Sequence, residues 1–401
     1  MNITFLIGNG FDRNLGLKTT YSDFVKVYKK SEAKTDTLRY FHKYISENEE
    51  LWSAAEEEMG RYTAEFAAGD GAAFYQCHKD FCEKLANYLK EESRKMNYQA
   101  MARDIASAFS MMNSLTSSFP TQEREVLDAV YAARKSENIT FNFIVYNYTD
   151  TLDRCVTTIK RKQEVLGTHQ YQSRTHNHTI GDICHVHGTV ETQMVFGVND
   201  KTQIAKPEIF ECEYGDLYED LLIKKQANQG YQENTDDKAK RILDNSQIIY
   251  IFGMSIGVTD ALWWERVCAW LNGSASRHLI VFRYSMPPRG LLEVDYKIEE
   301  RKAKQEITNF AQLPDNQKRE IEKRIHISGA NIFADVKDIT VNQDMPNEEI
   351  RNQYGIDLAN IQRIAETTAP VIQALEENES YKAMLDYIDK HNGELPEITV
   401  V

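Results

Sequence analysis

The amino-acid sequence predicts an α/β protein built around a parallel β-sheet, and two observations support this class. The chain begins with a short apolar stretch at 3–7 (ITFLI) that is rich in β-branched and aromatic residues and is followed by glycine, as in a buried strand. Similar stretches at 248–253 and 278–284 alternate with amphipathic helical patterns. Strands that are apolar on both faces and alternate with helices are typical of a parallel sheet covered by helices.

Four further segments have the composition of strands. The stretch at 139–149 (ITFNFIVYNYT) is rich in β-branched and aromatic residues, and we predict more strands at 183–190 and 194–198. A last strand is predicted within 326–333, after a charged helical segment. The first and second strands are therefore separated by a long segment without strand character.

That long segment is predicted to be helical. Tyr21, Phe24, Val25 and Tyr28 recur on one face of a helix, and helical patterns continue to about residue 135. We therefore expect a helical region inserted after the first strand.

These patterns divide the chain into three regions. Residues 1–20 and 136–334 are predicted to form an α/β domain, and residues 21–135 the inserted helical region. Residues 335–401 are predicted to form a helical C-terminal region with acidic surfaces.

The composition excludes several classes of protein. Lys and Arg total 47 against 61 Asp and Glu, and this net charge of −14 argues against a surface built to bind nucleic acid. The apolar run at 248–258 is too short to span a bilayer, and the N-terminus lacks the pattern of a signal peptide. None of the six cysteines forms a CxxC pair, which is typical of reduced thiols. We therefore expect a soluble, cytoplasmic protein that binds no membrane.

A glycine turn follows the first strand. Gly8, Asn9 and Gly10 lead into a polar segment that contains Asp12, and such turns let the backbone approach a phosphate. Arg13 stands where the dehydrogenase fingerprint GxGxxG has its last glycine, so a standard NAD-dependent dehydrogenase is not expected. The alternative is a turn whose glycines serve the fold alone.

Short polar residues follow the strand predicted at 139–149. Asn147, Thr149 and Asp150 lie at its carboxyl end, where open α/β sheets bind ligands. An asparagine there can hold a ribose hydroxyl or a water molecule by hydrogen bonds in both directions. The alternative is an ordinary helix cap.

Two more strand ends carry candidate site residues. His187 precedes a glycine, and a histidine in a pocket can act as a general base, although a structural histidine is the alternative. After the strand at 248–253, Gly253 allows close approach of a ligand, and Ser255 and Asp260 supply polar groups. Asp260 can also cap the next helix.

Histidines are concentrated between positions 169 and 187. His169, His176, His178, His185 and His187 lie there together with a cysteine, but their spacing matches no zinc pattern and no acidic residues cluster with them. We therefore predict no metal site.

Four segments in this order resemble the AbiH family of bacteriophage abortive-infection proteins. They are IGNGFDRNLGLKTTYSDF, VYNYTDTLD, HVHGTV and IFGMSIGVTD. The segment LWSAAEEE at 51–58 also resembles a Trp-plus-Glu element in the helical insert of that family, which singles out Trp52 and Glu56. The resemblance covers residues 3 to about 265.

The same order of motifs is similar to the sirtuin-like domains of bacterial anti-phage NAD hydrolases. This similarity implies a Rossmann-like sheet in which Gly8, Gly10, Asp12 and Ser255 line an NAD-like ligand. It also implies that Asn147 and His187 occupy the catalytic positions. The chain lacks the paired CxxC zinc ribbon of protein-deacylating sirtuins, so deacylation is not expected.

The resulting hypothesis is an anti-phage protein that binds NAD and hydrolyses its nicotinamide–ribose bond. The small-molecule partner is a nucleotide, and control by a phage-derived trigger and homo-oligomerisation stay open. A nucleotide-binding sensor or scaffold without catalysis is the first alternative. The second is a nuclease, which would need a basic groove; the candidate residues are Lys224, Lys225, Lys238, Lys240 and Arg241.

Overall fold

The computed structural model describes residues 1–110, 116–162, 166–230, 235–289, 293–334 and 336. Residues 1–338 form one compact unit, and Ile339–Val401 are a separate unit that lies outside the described residues. The helical C-terminal region predicted at 335–401 therefore also lies outside them, apart from Val336.

A seven-stranded sheet forms the centre of the protein, in the order β3-β4-β2-β1-β5-β6-β7. The strands are β1 (Asn2–Ile7), β2 (Ile139–Val145), β3 (Gly167–Tyr171), β4 (Arg174–His185), β5 (Ile248–Phe252), β6 (His278–Phe282) and β7 (Ile325–Ser328). All neighbouring strands are parallel except β3 and β4, which form an antiparallel hairpin. The predicted α/β class with a mostly parallel sheet is confirmed.

Helices cover the sheet and fill the segment between β1 and β2. Before β2 lie α1 (Gly10–Asn14), α2 (Tyr21–Tyr28), α3 (Asp36–Glu47), α4 (Ala55–Tyr62), α5 (Gly71–Arg94), α6 (Tyr98–Ser110) and α7 (Thr121–Ala132). After β2 lie α8 (Thr151–Lys162), α9 (Gly215–Leu222), α10 (Lys224–Gly230), α11 (Thr235–Asp244), α12 (Ala261–Asn272), α13 (Val294–Thr308) and α14 (Asp315–Glu322). Every secondary-structure element described between β1 and β2 is a helix, as predicted.

The hydrophobic core has three parts. Two clusters cover the two faces of the sheet, and β1 contributes Phe5 to one and Leu6 to the other because successive side chains of a strand point to opposite faces. The third is an aromatic cluster of helices α2 to α5 in which Phe24, Phe41 and Phe81 are buried. Tyr148, three residues beyond β2, belongs to this third cluster, so the inserted helices pack directly against the end of the sheet.

Three strand predictions differ from the structure. The segment 194–198 forms no strand, because its only ladder contact is a single bridge between Val198 and Ile223. The second strand stops at Val145 rather than continuing to residue 149. The fourth begins much earlier than predicted, at Arg174, and ends at His185.

The β3–β4 hairpin was not predicted from the sequence. Its turn is formed by Gln172 and Ser173 in the left-handed region, with φ of 46° and 63°, instead of the glycine or asparagine that usually marks such a turn. Both strands are also polar and mostly half-exposed or exposed; β3 is the edge strand, and β4 lies between β3 and β2. The apolar signal of a buried strand is therefore missing there.

Candidate functional site

Four strands end together at one edge of the sheet. Ile7 of β1 pairs with Val145 of β2 and with Phe252 of β5, and Val145 pairs with His185 of β4. The residues that follow these strands therefore lie along one carboxyl edge, which is where open α/β sheets place their ligands. The predicted site residues all follow one of these four strands.

The glycine turn is in close backbone contact with the loop after β5. The N–H of Gly8 donates to Phe252 O (3.0 Å) and the N–H of Gly10 donates to Gly253 O (2.8 Å). A Cβ atom on Gly8 would lie 2.5 Å from Gly253 O, and one on Gly10 would lie 2.4 Å from Gly253 Cα. Contact between β1 and β5 thus accounts for these glycines, and phosphate binding by the turn stays a prediction.

Asn9 holds the chain that follows the turn. Its side-chain amide donates to Thr19 O (3.0 Å), and its side-chain oxygen accepts from the Thr19 hydroxyl (2.6 Å). These two bonds connect the start of α1 to the segment just before α2.

Asp12 is a fully buried carboxyl beneath the same edge. Its Oδ2 accepts a hydrogen bond from Thr149 Oγ1 (2.5 Å), whereas its buried Oδ1 has no hydrogen-bond partner in the described part of the chain. Burial raises the pKa of Asp12 to about 6, although the Thr149 hydrogen bond acts in the opposite direction. The structure thus brings Asp12 and Thr149 together, while Asp150 pairs with Arg154 Nε (2.8 Å) on the first turn of α8.

Asn147 follows β2 and is almost completely buried. Its backbone oxygen lies 3.1 Å from Nδ1 of His185, and Nε2 of the same ring lies 2.6 Å from Oδ2 of Asp153. The side-chain Oδ1 of Asn147 is buried and has no hydrogen-bond partner among the described residues. Because a buried polar atom without a partner is costly, this oxygen is a candidate for contact with a ligand or water molecule.

His187 follows β4 and is 5% exposed. Its ring lies between those of Tyr146 and Tyr148, at centroid distances of 5.7 Å and 6.4 Å. Nε2 is 3.1 Å from Oδ1 of Asp260, whereas the buried Nδ1 has no hydrogen-bond partner within the described ranges. Asp260 precedes α12 but makes no side-chain capping bond, because its carboxylate faces His187 instead.

A buried ion-pair network continues from Asp260. Lys224 Nζ lies 3.5 Å from Asp260 Oδ1 and 2.7 Å from Glu56 Oε2. Glu56 Oε1 accepts hydrogen bonds from the hydroxyls of Tyr21 (2.8 Å) and Tyr148 (2.7 Å). Two elements of the helical insertion, α2 and α4, therefore contribute directly to this edge of the sheet.

The charges in this network reinforce one another. Burial alone would lower the pKa of Lys224, but the carboxylates of Asp260 and Glu56 outweigh it and raise that pKa above its ordinary value. Burial alone would raise the pKa of Asp260, but the Lys224 ammonium and the His187 hydrogen bond hold it well below its usual range. Asp260 is therefore a carboxylate at neutral pH.

A cavity of about 20 Å³ adjoins His187, Lys224, Asp260 and Trp263. A space of this size holds a water molecule. Ser255, predicted to contact the ligand, is exposed in the loop after β5.

Sequence reasoning did not identify the lysine at the centre of this network. The alternative of a nuclease places Lys224 in a basic groove, but its burial between two carboxylates makes it unavailable for the phosphate contacts that a nuclease needs. Glu56 was singled out only by resemblance. The contacts join residues 56, 224 and 260, which no local sequence pattern connects.

Three further histidines, His169, His176 and His178, lie on the β3–β4 hairpin. His169 Nδ1 is 2.9 Å from His178 Nε2, His169 Nε2 is 2.9 Å from Lys135 O, and the His169 and His176 rings stack at 5.1 Å. In the described parts of the chain, no group of three or more His, Cys, Asp or Glu residues is arranged to hold a metal ion. Nor does that part contain a helix with the length and apolar character needed to cross a membrane.

The polar residues Glu56, Asn147, His187, Lys224 and Asp260 form a cluster at the carboxyl edge, here called the edge cluster, and all of them are buried except Asp260, which is partly buried. Together with the fold, the edge cluster defines an α/β protein with a buried polar site at the carboxyl edge of its sheet. The family model described as Bacteriophage abortive infection AbiH matches residues 4–282, which include most of β1, all of β2 to β6 and every residue of this site. The chain belongs to the AbiH family and is thus a phage abortive-infection protein. No curated protein and no solved structure is significantly similar to it.

Proposed function

We propose that the protein hydrolyses the nicotinamide–ribose bond of NAD, so that an infected cell loses this cofactor and phage growth stops. The observation that carries the proposal is the His187 ring, whose Nε2 contacts Asp260 while its buried Nδ1 has no hydrogen-bond partner in the described chain. A ring held in this way donates its Nε2 proton to the carboxylate and can accept a proton at Nδ1.

The reaction requires groups of these kinds. The ribose C1′–N bond breaks, nicotinamide leaves with the bonding electrons as a neutral molecule, and a water oxygen bonds to C1′. The water proton passes to Nδ1 of His187, and the Asp260 carboxylate stabilises the resulting imidazolium. Asn147 would orient a ribose hydroxyl or the water through its unpartnered side-chain oxygen.

The strand order supports a nucleotide as the ligand. If the antiparallel edge strand β3 is left out, the sheet order is β4-β2-β1-β5-β6-β7. Numbered along the chain, these six strands have the order 3-2-1-4-5-6 of the doubly wound dinucleotide-binding fold, which supports a sirtuin-like, Rossmann-like sheet. In that fold the ligand binds at the carboxyl ends of the strands beside the point where the order reverses. The N–H groups of Gly8 and Gly10 are already bonded to Phe252 O and Gly253 O, so the diphosphate would lie against the backbone of this turn without hydrogen bonds from these two amides.

The size of the cavity bears on regulation. About 20 Å³ beside His187 holds a water molecule but no dinucleotide, since ligand pockets usually enclose several hundred Å³. NAD binding therefore requires the loops around His187 to move. An enzyme that depletes NAD has to be inactive in an uninfected cell, and a closed site that opens on a phage-derived trigger meets this need.

The test is release of nicotinamide from NAD by the purified full-length protein, alone and with phage lysate. We expect release by the wild type under at least one condition and its loss in His187→Ala. His176→Ala is the matched control, because His176 lies on the hairpin and stacks on His169. Its activity should equal that of the wild type.

Two outcomes would contradict the proposal. Equal release by the wild type and His187→Ala would exclude His187 as the base. NAD binding without release under either condition would favour the second candidate, a nucleotide-binding sensor. The closed cavity is compatible with a sensor, because ligand entry must rearrange the loops around it.

A further inference from the structure

Lys224 is a buried charge that the proposed reaction does not use directly. It is 5% exposed, and its ammonium lies between the carboxylates of Glu56 and Asp260. Moving such a group out of water costs several kcal/mol, and a buried ion pair often adds no net stability compared with apolar residues. A role in stability alone is therefore a weak explanation for a lysine at this position.

The geometry connects this charge to the reacting histidine. Lys224 Nζ and His187 Nε2 approach the same atom, Oδ1 of Asp260, at 3.5 Å and 3.1 Å. With Lys224 in place Asp260 stays ionised, and an ionised carboxylate can only accept hydrogen bonds. The proton of neutral His187 must then be on Nε2, which leaves Nδ1 as the basic nitrogen.

The helical insertion holds the lysine in place. Glu56 on α4 binds the ammonium at 2.7 Å, and two tyrosine hydroxyls, from Tyr21 and Tyr148, bind the other oxygen of Glu56. The Lys224 ammonium and the two tyrosine hydroxyls thus hold the Glu56 carboxylate through both of its oxygens. The position of Lys224 relative to Asp260 therefore depends on a residue outside the sheet.

We propose that Lys224 is a positioning residue for His187. Lys224 acts through Asp260 and fixes the His187 tautomer that accepts a proton at Nδ1, and Glu56 of the insertion holds the Lys224 ammonium in place. This inference rests on the proposed function only for its effect on catalysis. The tautomer itself can be measured without any turnover.

Other ionisable groups near Asp260 have to be considered in a pH experiment. Besides Lys224 and His187, the hydroxyls of Tyr146 and Tyr21 interact electrostatically with the carboxylate of Asp260. Arg266 and Asp236 also act on Tyr146 from α12 and α11. Among the described lysines and arginines only Lys224 lies within ion-pair distance of Asp260, so its removal should dominate the change.

The first measurement is ¹⁵N NMR of His187 in the full-length protein, for the wild type, Lys224→Met and Lys240→Met. The last is the matched control, because Lys240 is exposed on α11. We expect the wild type and Lys240→Met to carry the proton on Nε2 across neutral pH. Lys224→Met should show a mixture of the two tautomers.

The second measurement is the pH dependence of kcat/KM for nicotinamide release. In Lys224→Met the acidic limb should move upward by about 1 to 3 pH units, because the ammonium no longer opposes protonation of the Asp260–His187 pair and one neighbouring charge shifts a pKa by about this amount. Lys224→Arg, which keeps the charge, should show a smaller displacement. A merely structural role would lower activity without moving the limb.

The double variant Glu56→Gln/Lys224→Met guards against misfolding, because it does not leave the Glu56 carboxylate buried without its cation. It should show the same change of tautomer as Lys224→Met. An unchanged tautomer in whichever of the two variants folds would overturn the inference. Absence of nicotinamide release from all variants, with the expected tautomers, would reject the proposed function and leave the positioning role intact.

Discussion

Two regions rich in histidine differ in how their ring nitrogens are used. On the β3–β4 hairpin, both nitrogens of His169 have partners, at 2.9 Å from His178 Nε2 and 2.9 Å from Lys135 O. At the carboxyl edge, His187 has one partner, Asp260, and a buried Nδ1 without one among the described residues. A histidine whose nitrogens are both engaged has no nitrogen left to accept a proton, whereas the unbonded Nδ1 of His187 can accept one.

His185 shows that position alone does not make the difference. It ends β4, two residues before His187, yet its nitrogens face Asn147 O at 3.1 Å and Asp153 Oδ2 at 2.6 Å. His185 therefore resembles the hairpin histidines although it lies at the edge. The distinction between His185 and His187 is a property of their partners, and each pair can be tested by the same substitution.

The largest expected effect separates the two histidine–aspartate pairs. Asp260→Asn should lower kcat for nicotinamide release by about 10³-fold or more, because an asparagine can donate to Nε2 and hold the ring in the wrong tautomer. Asp153→Asn makes the same change beside His185 and should alter kcat by less than about tenfold. Equal losses in the two variants would remove the distinction between His185 and His187.

The next effect concerns stability. Lys224→Ala leaves two buried carboxylates without their cation and should lower the free energy of unfolding by about 3–5 kcal/mol in urea titrations. His169→Ala removes hydrogen bonds in the half-exposed hairpin and should cost about 1–2 kcal/mol. Lys43→Ala breaks an exposed pair with Glu47 on α3 and should give no measurable change. A lower free energy of unfolding for His169→Ala than for Lys224→Ala would contradict the larger contribution expected from the edge cluster.

The sequence predicted the elements whose signals are local. Strands β1, β5 and β6 are short, apolar and β-branched or aromatic, so composition alone indicates them, and the spacing of Tyr21 and Tyr28 predicts α2 correctly. The β3–β4 hairpin was missed because an edge strand needs no apolar alternation, and its turn uses Gln172 and Ser173. Period and composition report burial, and this hairpin is only partly buried.

The candidate site divides in the same way. Glycine and short polar residues after apolar stretches indicate Asn147, His187 and Asp260 as site residues, because strand ends can be located from composition. Their partners could not be found this way. Lys224 approaches Asp260 only when α10 packs beside the start of α12, and nothing in the local sequence of either residue specifies that contact.

Removal of the Asp12 charge is expected to stabilise the protein, whereas removal of the Lys224 charge is expected to destabilise it. Burial raises its pKa from 3.8 to about 6, so between these pH values the folded protein holds a proton that the unfolded chain releases. The stability from this group is complete below about pH 4 and is lost as the pH rises through 6. At pH 7, Asp12→Asn should therefore be more stable than the wild type by roughly 2–3 kcal/mol.

Urea titrations of the wild type and Asp12→Asn at several pH values from 4 to 7 would measure this difference. Asp128→Asn, an exposed substitution on α7, is the control and should follow the wild type at every pH. A destabilised Asp12→Asn variant at pH 7 would mean that the ionised carboxyl makes contacts that compensate its burial. A stabilised Asp12→Asn variant that had also lost NAD turnover would mean that this edge keeps a buried carboxyl for function at the expense of stability, in contrast to His169, whose two ring nitrogens both have partners.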